Sequence, residues 1–129
     1  MSLKLSVDLP KTILLVEHDE PLRKFLTEML RGVGHTVLEA DSAHAALDLA
    51  SDNHLKVDLV LSDLALPGIS GVQLFELLKA SLPDLKAVLM SGYPLELISL
   101  TVPLPRSVAF IEKPFTRDCL LSALYKTLH

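Results

Sequence analysis

Five times along this chain a short apolar run stops at polar residues, and the runs are linked by helical or turn-forming segments. That alternation restricts the fold more than any other feature. Lys11–Val16 is apolar, β-branched in part and too short for a helix, so it reads as a buried strand. From Pro21 to Val33, Leu22, Phe25, Leu26, Met29 and Leu30 fall on one helical face, with Pro21 suited to the first turn and Gly32 and Gly34 ending it. Thr36–Ala40 is the next strand, and Ser42 can cap a helix through Leu49. Val57–Ser62 follows, then a turn over 66–70 and a helix over 71–80 that buries Val72, Leu74, Phe75 and Leu78. Leu85–Met90 and Val108–Glu112 complete the strands. A last helix over 116–128 buries Leu120, Ala123, Leu124 and Leu128. Between Tyr93 and Arg106, Pro94, Pro103 and Pro105 leave room only for a short helix near 95–100. Strands and helices in alternation imply right-handed crossovers and a single doubly wound α/β domain, its parallel sheet covered on both faces.

Composition narrows the function classes. With 129 residues, 50% hydrophobic and 22% charged, the chain can form one sizeable core. Sixteen acidic residues against 12 basic ones give a net charge of -4, and the basic residues are scattered singly or in pairs such as Arg23-Lys24. A nucleic-acid face would need them concentrated, so no nucleic-acid contact is expected of this segment. No apolar run approaches a membrane span, and none is continuous enough near the start for a signal peptide. Residues 1–10 are expected to be a flexible leader, with the domain over 11–129 and a cytoplasmic setting. The one cysteine, Cys119, falls in an apolar helical pattern and is expected to be inert packing. His35, His44, His54 and His129 are expected to be solvated bystanders at turns, on a helix surface and at the terminus.

In open parallel sheets, working residues lie just beyond the carboxyl ends of the strands. The polar residues of this chain stand there. Glu17, His18, Asp19 and Glu20 follow the first strand, Asp63 the third, Ser91-Gly92 the fourth and Lys113-Pro114 the fifth. A single acid after a strand often only caps a helix, but acids, a hydroxyl and an amine together on one rim suit phosphoryl transfer. A carboxylate can attack phosphorus, an ammonium and a divalent cation can neutralise the equatorial oxygens, and a hydroxyl can donate to one of them. No Gly-rich dinucleotide or P-loop signature follows any strand.

Those residues also carry a resemblance. Ile13–Leu22 (ILLVEHDEPL), Asp58–Gly68 (DLVLSDLALPG), Leu89–Tyr93 (LMSGY) and Phe110–Phe115 (FIEKPF) resemble, in order and spacing, the motifs of response-regulator receiver domains of two-component systems. The wording of the last two is similar to receivers of hybrid sensor histidine kinases. The resemblance implies a flavodoxin-like five-stranded sheet. It implies a phosphoacceptor in a phosphorelay, not an enzyme turning over a metabolite. Asp63 would take the phosphoryl group from a histidine kinase or histidine phosphotransfer protein, Ser91 would be the switching hydroxyl and Lys113 the pairing cation. Glu17, Asp63 and the Ala65 backbone carbonyl would hold Mg²⁺. Phe110 would be the aromatic switch, working by packing since it lacks a hydroxyl, and Lys113-Pro114 would be cis. The apolar stretch 94–105 is either core packing or, with the last helix, a docking face for a partner.

His18 departs from the pattern, which has a second acid there. A hard cation prefers oxygen, and imidazole suits transition metals. His18 therefore points either to weaker Mg²⁺ held by Glu17, with Asp19 through water, to loss of Mg²⁺, or to a different metal. It is also the feature that favours an alternative: a degenerate receiver serving as a phosphorylation-independent interaction module.

Overall fold

The computed structural model describes residues 10–52, 56–98, 100, 104, 105 and 107–129. All five expected strands form: β1 (Thr12–Val16), β2 (Thr36–Ala40), β3 (Leu59–Asp63), β4 (Lys86–Ser91) and β5 (Val108–Glu112). They are parallel throughout, in the order β2-β1-β3-β4-β5. This is the doubly wound order in which the chain switches direction between β1 and β3. The helices are α1 (Glu20–Gly32), α2 (Ala43–Ala50), α3 (Gly71–Ser81), α4 (Leu95–Ile98) and α5 (Arg117–Leu128).

Strand alternation sorts the core into two faces. Ile13 and Leu15 of β1, Leu59 and Leu61 of β3, and Val88 and Met90 of β4 pack with Leu26 and Leu30 of α1 and Leu120 and Leu124 of α5. Leu14, Val16, Val60 and Ala87 point the other way, onto Ala43 and Ala46 of α2 and Leu74, Phe75 and Leu78 of α3. Both faces being covered explains why β1, β3 and β4 read as continuous apolar runs and not as alternating ones.

Helix ends follow the expected chemistry. Ser42 Oγ accepts from the Ala45 N–H at 3.1 Å and caps α2. Ser70 and Gln73 cap α3 reciprocally, and Thr116 Oγ1 accepts from the Cys119 N–H to cap α5. Gly34, at φ 105°, turns the chain after α1, a conformation that side-chain-bearing residues avoid.

Three expectations are corrected. Phe25 is 60% exposed, because the α1 face that meets the sheet is narrower than the helical pattern and centres on Leu26 and Leu30. Cys119 is exposed in the first turn of α5 and is not packed. His35 is half-buried, and its Nδ1 accepts from the Lys11 N–H at 3.1 Å, so it is a structural acceptor and not a bystander. The expected leader, apart from Pro10, and His54 lie outside the described residues.

Candidate functional site: an acidic cluster at the carboxyl edge of the sheet

β1, β3, β4 and β5 end side by side. Each contributes a polar residue to the same rim. Glu17 follows β1 directly and is held at every polar atom. Its N–H donates to the Ala40 carbonyl (3.1 Å), and its own carbonyl accepts from Arg23 Nη1 (2.9 Å). Its Oε2 accepts from the Asp19 N–H (3.0 Å) and its Oε1 from Lys113 Nζ (3.0 Å). Asp63 is the last residue of β3, one beyond the expected strand, and its Oδ1 accepts from the same Lys113 Nζ at 2.5 Å. One ammonium thus spans two buried carboxylates from different strands.

Local packing fixes the Asp63 backbone. Leu64 N–H donates to the Met90 carbonyl (2.8 Å), continuing the β3–β4 register past the strand. The Ser62 hydroxyl donates to the Asp63 carbonyl (2.8 Å). Gly71 starts α3 so close to this turn that a Cβ there would lie 2.4 Å from the Asp63 carbonyl oxygen. On the other side, the Lys113 N–H donates to the Ser91 carbonyl (2.6 Å), and the Lys113-Pro114 bond is cis, as the resemblance implied.

The charges are unbalanced, and the carboxyls respond unequally. Burial, then the hydrogen bond and charge of Glu17, raises the Asp63 carboxyl to about 7, with Lys113 opposing. Burial also acts to raise Glu17, but hydrogen bonds with Asp63, the Asp19 N–H and Lys113 outweigh it and hold Glu17 below its ordinary value. Of the two carboxyls, Asp63 is thus the one on which protonation is favoured, and Glu17 the one that ionises more readily. Burial acts to lower Lys113, yet its two carboxylate partners raise it, so it stays an ammonium.

The remaining sequence candidates are placed less tightly. The Ser91 hydroxyl is buried on the same rim and accepts from the Tyr93 N–H at 3.0 Å, turned into its own loop. Ala65 is exposed just beyond Asp63 and forms an isolated bridge to Ser70. Phe110 is half-buried against Leu64, Val72, Leu89 and Ile98, linking β5 to the loop after Asp63. His18 and Asp19 are exposed; of the run 17–20, only the Glu17 side chain is buried. Two inward carboxylates are hard oxygen donors and suit a cation such as Mg²⁺. No group of three or more His, Cys, Asp or Glu side chains is gathered for a metal among the described residues. Sequence reasoning missed Arg23, whose role depends on contacts between elements that local periodicity does not encode.

This order of strands, with an acid–acid–lysine cluster at its switch point, defines a receiver-type signalling domain. A family model for the response regulator receiver domain matches residues 13–125, and the chain belongs to that family. It is 32% identical over 91% of its length to the sensor kinase CckA of Brucella abortus, of which it spans 12%. It is 28% identical over 92% of its length to the response regulator receiver protein CpdR of the same organism, spanning 97% of that protein. Among solved structures, the receiver domain of the hybrid histidine kinase CckA superposes with a TM-score of 0.77 at 30% identity, covering 92% of this chain and 99% of that one. Vibrio cholerae CheY4, at 18% identity and a TM-score of 0.81 over 93% of this chain and 100% of that one, shares the fold. Among the described residues no helix is long and apolar enough to cross a membrane.

Proposed function

We propose that Asp63 is the phosphoacceptor of this receiver, taking its phosphoryl group from a phosphohistidine on a kinase or phosphotransfer partner. The observation that carries this reading is the Lys113 ammonium spanning Asp63 and Glu17 on the strand-end rim. An Asp63 oxygen attacks phosphorus as the P–N bond breaks, and the departing imidazole nitrogen keeps the bonding pair. Lys113 already touches the attacking carboxylate, so its charge lies where the phosphoryl oxygens would come to rest. Glu17 and Asp63, with the Ala65 carbonyl, would hold Mg²⁺, which supplies further neutralisation and favours the ionised form of Asp63. Ser91 would exchange its acceptor contact with the Tyr93 N–H for donation to a phosphoryl oxygen, and Phe110 would repack in response.

The interaction-module alternative drew its support from His18. An exposed His18 leaves both inward carboxylates and the lysine in place, which favours the phosphoacceptor reading. The exposed side chains of Tyr93, Leu95, Leu97 and Leu100 support a docking face beside α4, although 99 and 101–103 lie outside the described residues. Intact-mass measurement after incubation with a small acyl phosphate and Mg²⁺ tests the assignment. The parent should gain one phosphoryl mass and Asp63→Asn none; equal gain in both would overturn it.

A further inference from the structure

We propose that Arg23, oriented by Glu39, is a positioning residue that holds Glu17 at the acidic cluster and thereby sets the cluster's affinity for a divalent cation. This rests on the reading of Asp63 and Glu17 as the phosphorylation site. Arg23 stands on the first turns of α1, its N–H bonded to the Asp19 carbonyl at 2.9 Å. Its guanidinium makes two separate contacts. Nη1 donates to the Glu17 carbonyl at 2.9 Å, and Nε lies 3.4 Å from Glu39 Oε1 on β2. The Arg23 side chain is only 15% exposed, so it is not a freely solvated surface charge, while Glu39 stands at the solvent edge of β2.

The geometry of the guanidinium matters. A planar fork can face a carbonyl with one nitrogen and a carboxylate with another while its own plane stays fixed. Arg23 thus adds a side-chain tie between the loop after β1 and the edge strand β2, beside the Glu17 N–H on the Ala40 carbonyl. Without it, the Glu17 carbonyl loses a charged donor, while its carboxylate is still pulled by Lys113. The loop can then follow the lysine, and the two carboxylates lose their shared spacing. A cation with strict octahedral demands is sensitive to such a shift.

The test compares Arg23→Ala with Ser42→Ala, which removes the cap of α2 and destabilises the fold away from the site. Mg²⁺ is titrated into each protein without phosphodonor, and hydrogen exchange is followed at the Asp19 N–H, whose acceptor is Glu17 Oε2. Arg23→Ala should weaken Mg²⁺ roughly tenfold and speed Asp19 exchange relative to the control. Arg23→Lys should recover only part of both, since a point charge cannot serve the two acceptors together. Glu39→Ala should shift both readouts the same way by less, and add little on top of Arg23→Ala. Mg²⁺ affinity and Asp19 exchange in Arg23→Ala no different from Ser42→Ala would overturn the proposal. If the parent takes up no phosphoryl group, the Asp63 assignment fails instead, and the metal titration and exchange still decide the role of Arg23.

Discussion

Asp58 precedes β3 and Asp63 ends it, and their surroundings differ in kind. At the amino end of β3, Asp58 Oδ2 accepts from the Thr12 N–H at 2.8 Å, while the Asp58 N–H donates to the Thr12 carbonyl. Across β1, His35 receives the Lys11 N–H in the same way. Asp58 and His35 each meet a backbone N–H and help to align β1. At the carboxyl end, Asp63 meets a second carboxylate, and one ammonium must serve both. The first rim uses polar groups to secure the sheet. The second gathers like charge against folding, an arrangement that suits a site awaiting a cation and a phosphoryl group.

Removing charge from the two rims should separate these roles. Lys113→Ala leaves Glu17 and Asp63 facing each other without a counter-ion. We expect it to lower metal-free stability at pH 8 by about 2–3 kcal/mol in denaturant titration, and to impair phosphorylation as well. Asp58→Ala should cost about 1 kcal/mol and leave phosphorylation intact. Lys113 is bound to both carboxylates before any phosphoryl group arrives. A Lys113→Ala protein as stable as its parent would erase the contrast between the rims.

The rims should also answer pH in opposite senses. Asp63 rises from an ordinary 3.8 to about 7 in the fold, so its protonated form is the favoured one. Its contribution is complete below about pH 4 and is lost as pH rises through about 7. His35 is lowered from 6.5, first by burial, so its neutral form is favoured. Its contribution is present above pH 6.5 and is lost as pH falls through the lowered value. Metal-free melting temperatures measured from pH 4 to 9 should lose their alkaline decline in Asp63→Asn and part of their acid decline in His35→Ala. Identical profiles for parent and both variants would contradict the assignment of either group.

The smallest effect belongs to His18→Asp. A third carboxylate beside the cluster should tighten Mg²⁺ several-fold and lower metal-free stability by less than about 1 kcal/mol, since position 18 is exposed. Calorimetric titration of parent and variant checks the first half, and metal-free melts the second. Equal Mg²⁺ affinities would leave His18 outside the coordination sphere.

Much of this was legible in the chain. Buried parallel strands need apolar side chains on both faces, so β1, β3 and β4 announce themselves, and the rim residues then follow from where each run stops. Periodicity gives the direction of a helix face but not its width, which is why the pattern puts Phe25 and Cys119 on the apolar side while the fold exposes them. His35 and Arg23 eluded the pattern for another reason. Their partners are Lys11, 24 residues away, and the pair Glu17 and Glu39 on other elements, and only tertiary structure brings these together.

Gly71 adds a last consequence. A methyl group there would sit 2.4 Å from the Asp63 carbonyl oxygen, nearer than a real Cβ comes to any neighbour. The smallest coding change that adds a carbon at this position therefore has to push on the strand end that carries Asp63. The latitude for mutation at the start of α3 is set by a site to which Gly71 contributes no side chain. A screen that scores only residues with functional groups would pass over Gly71.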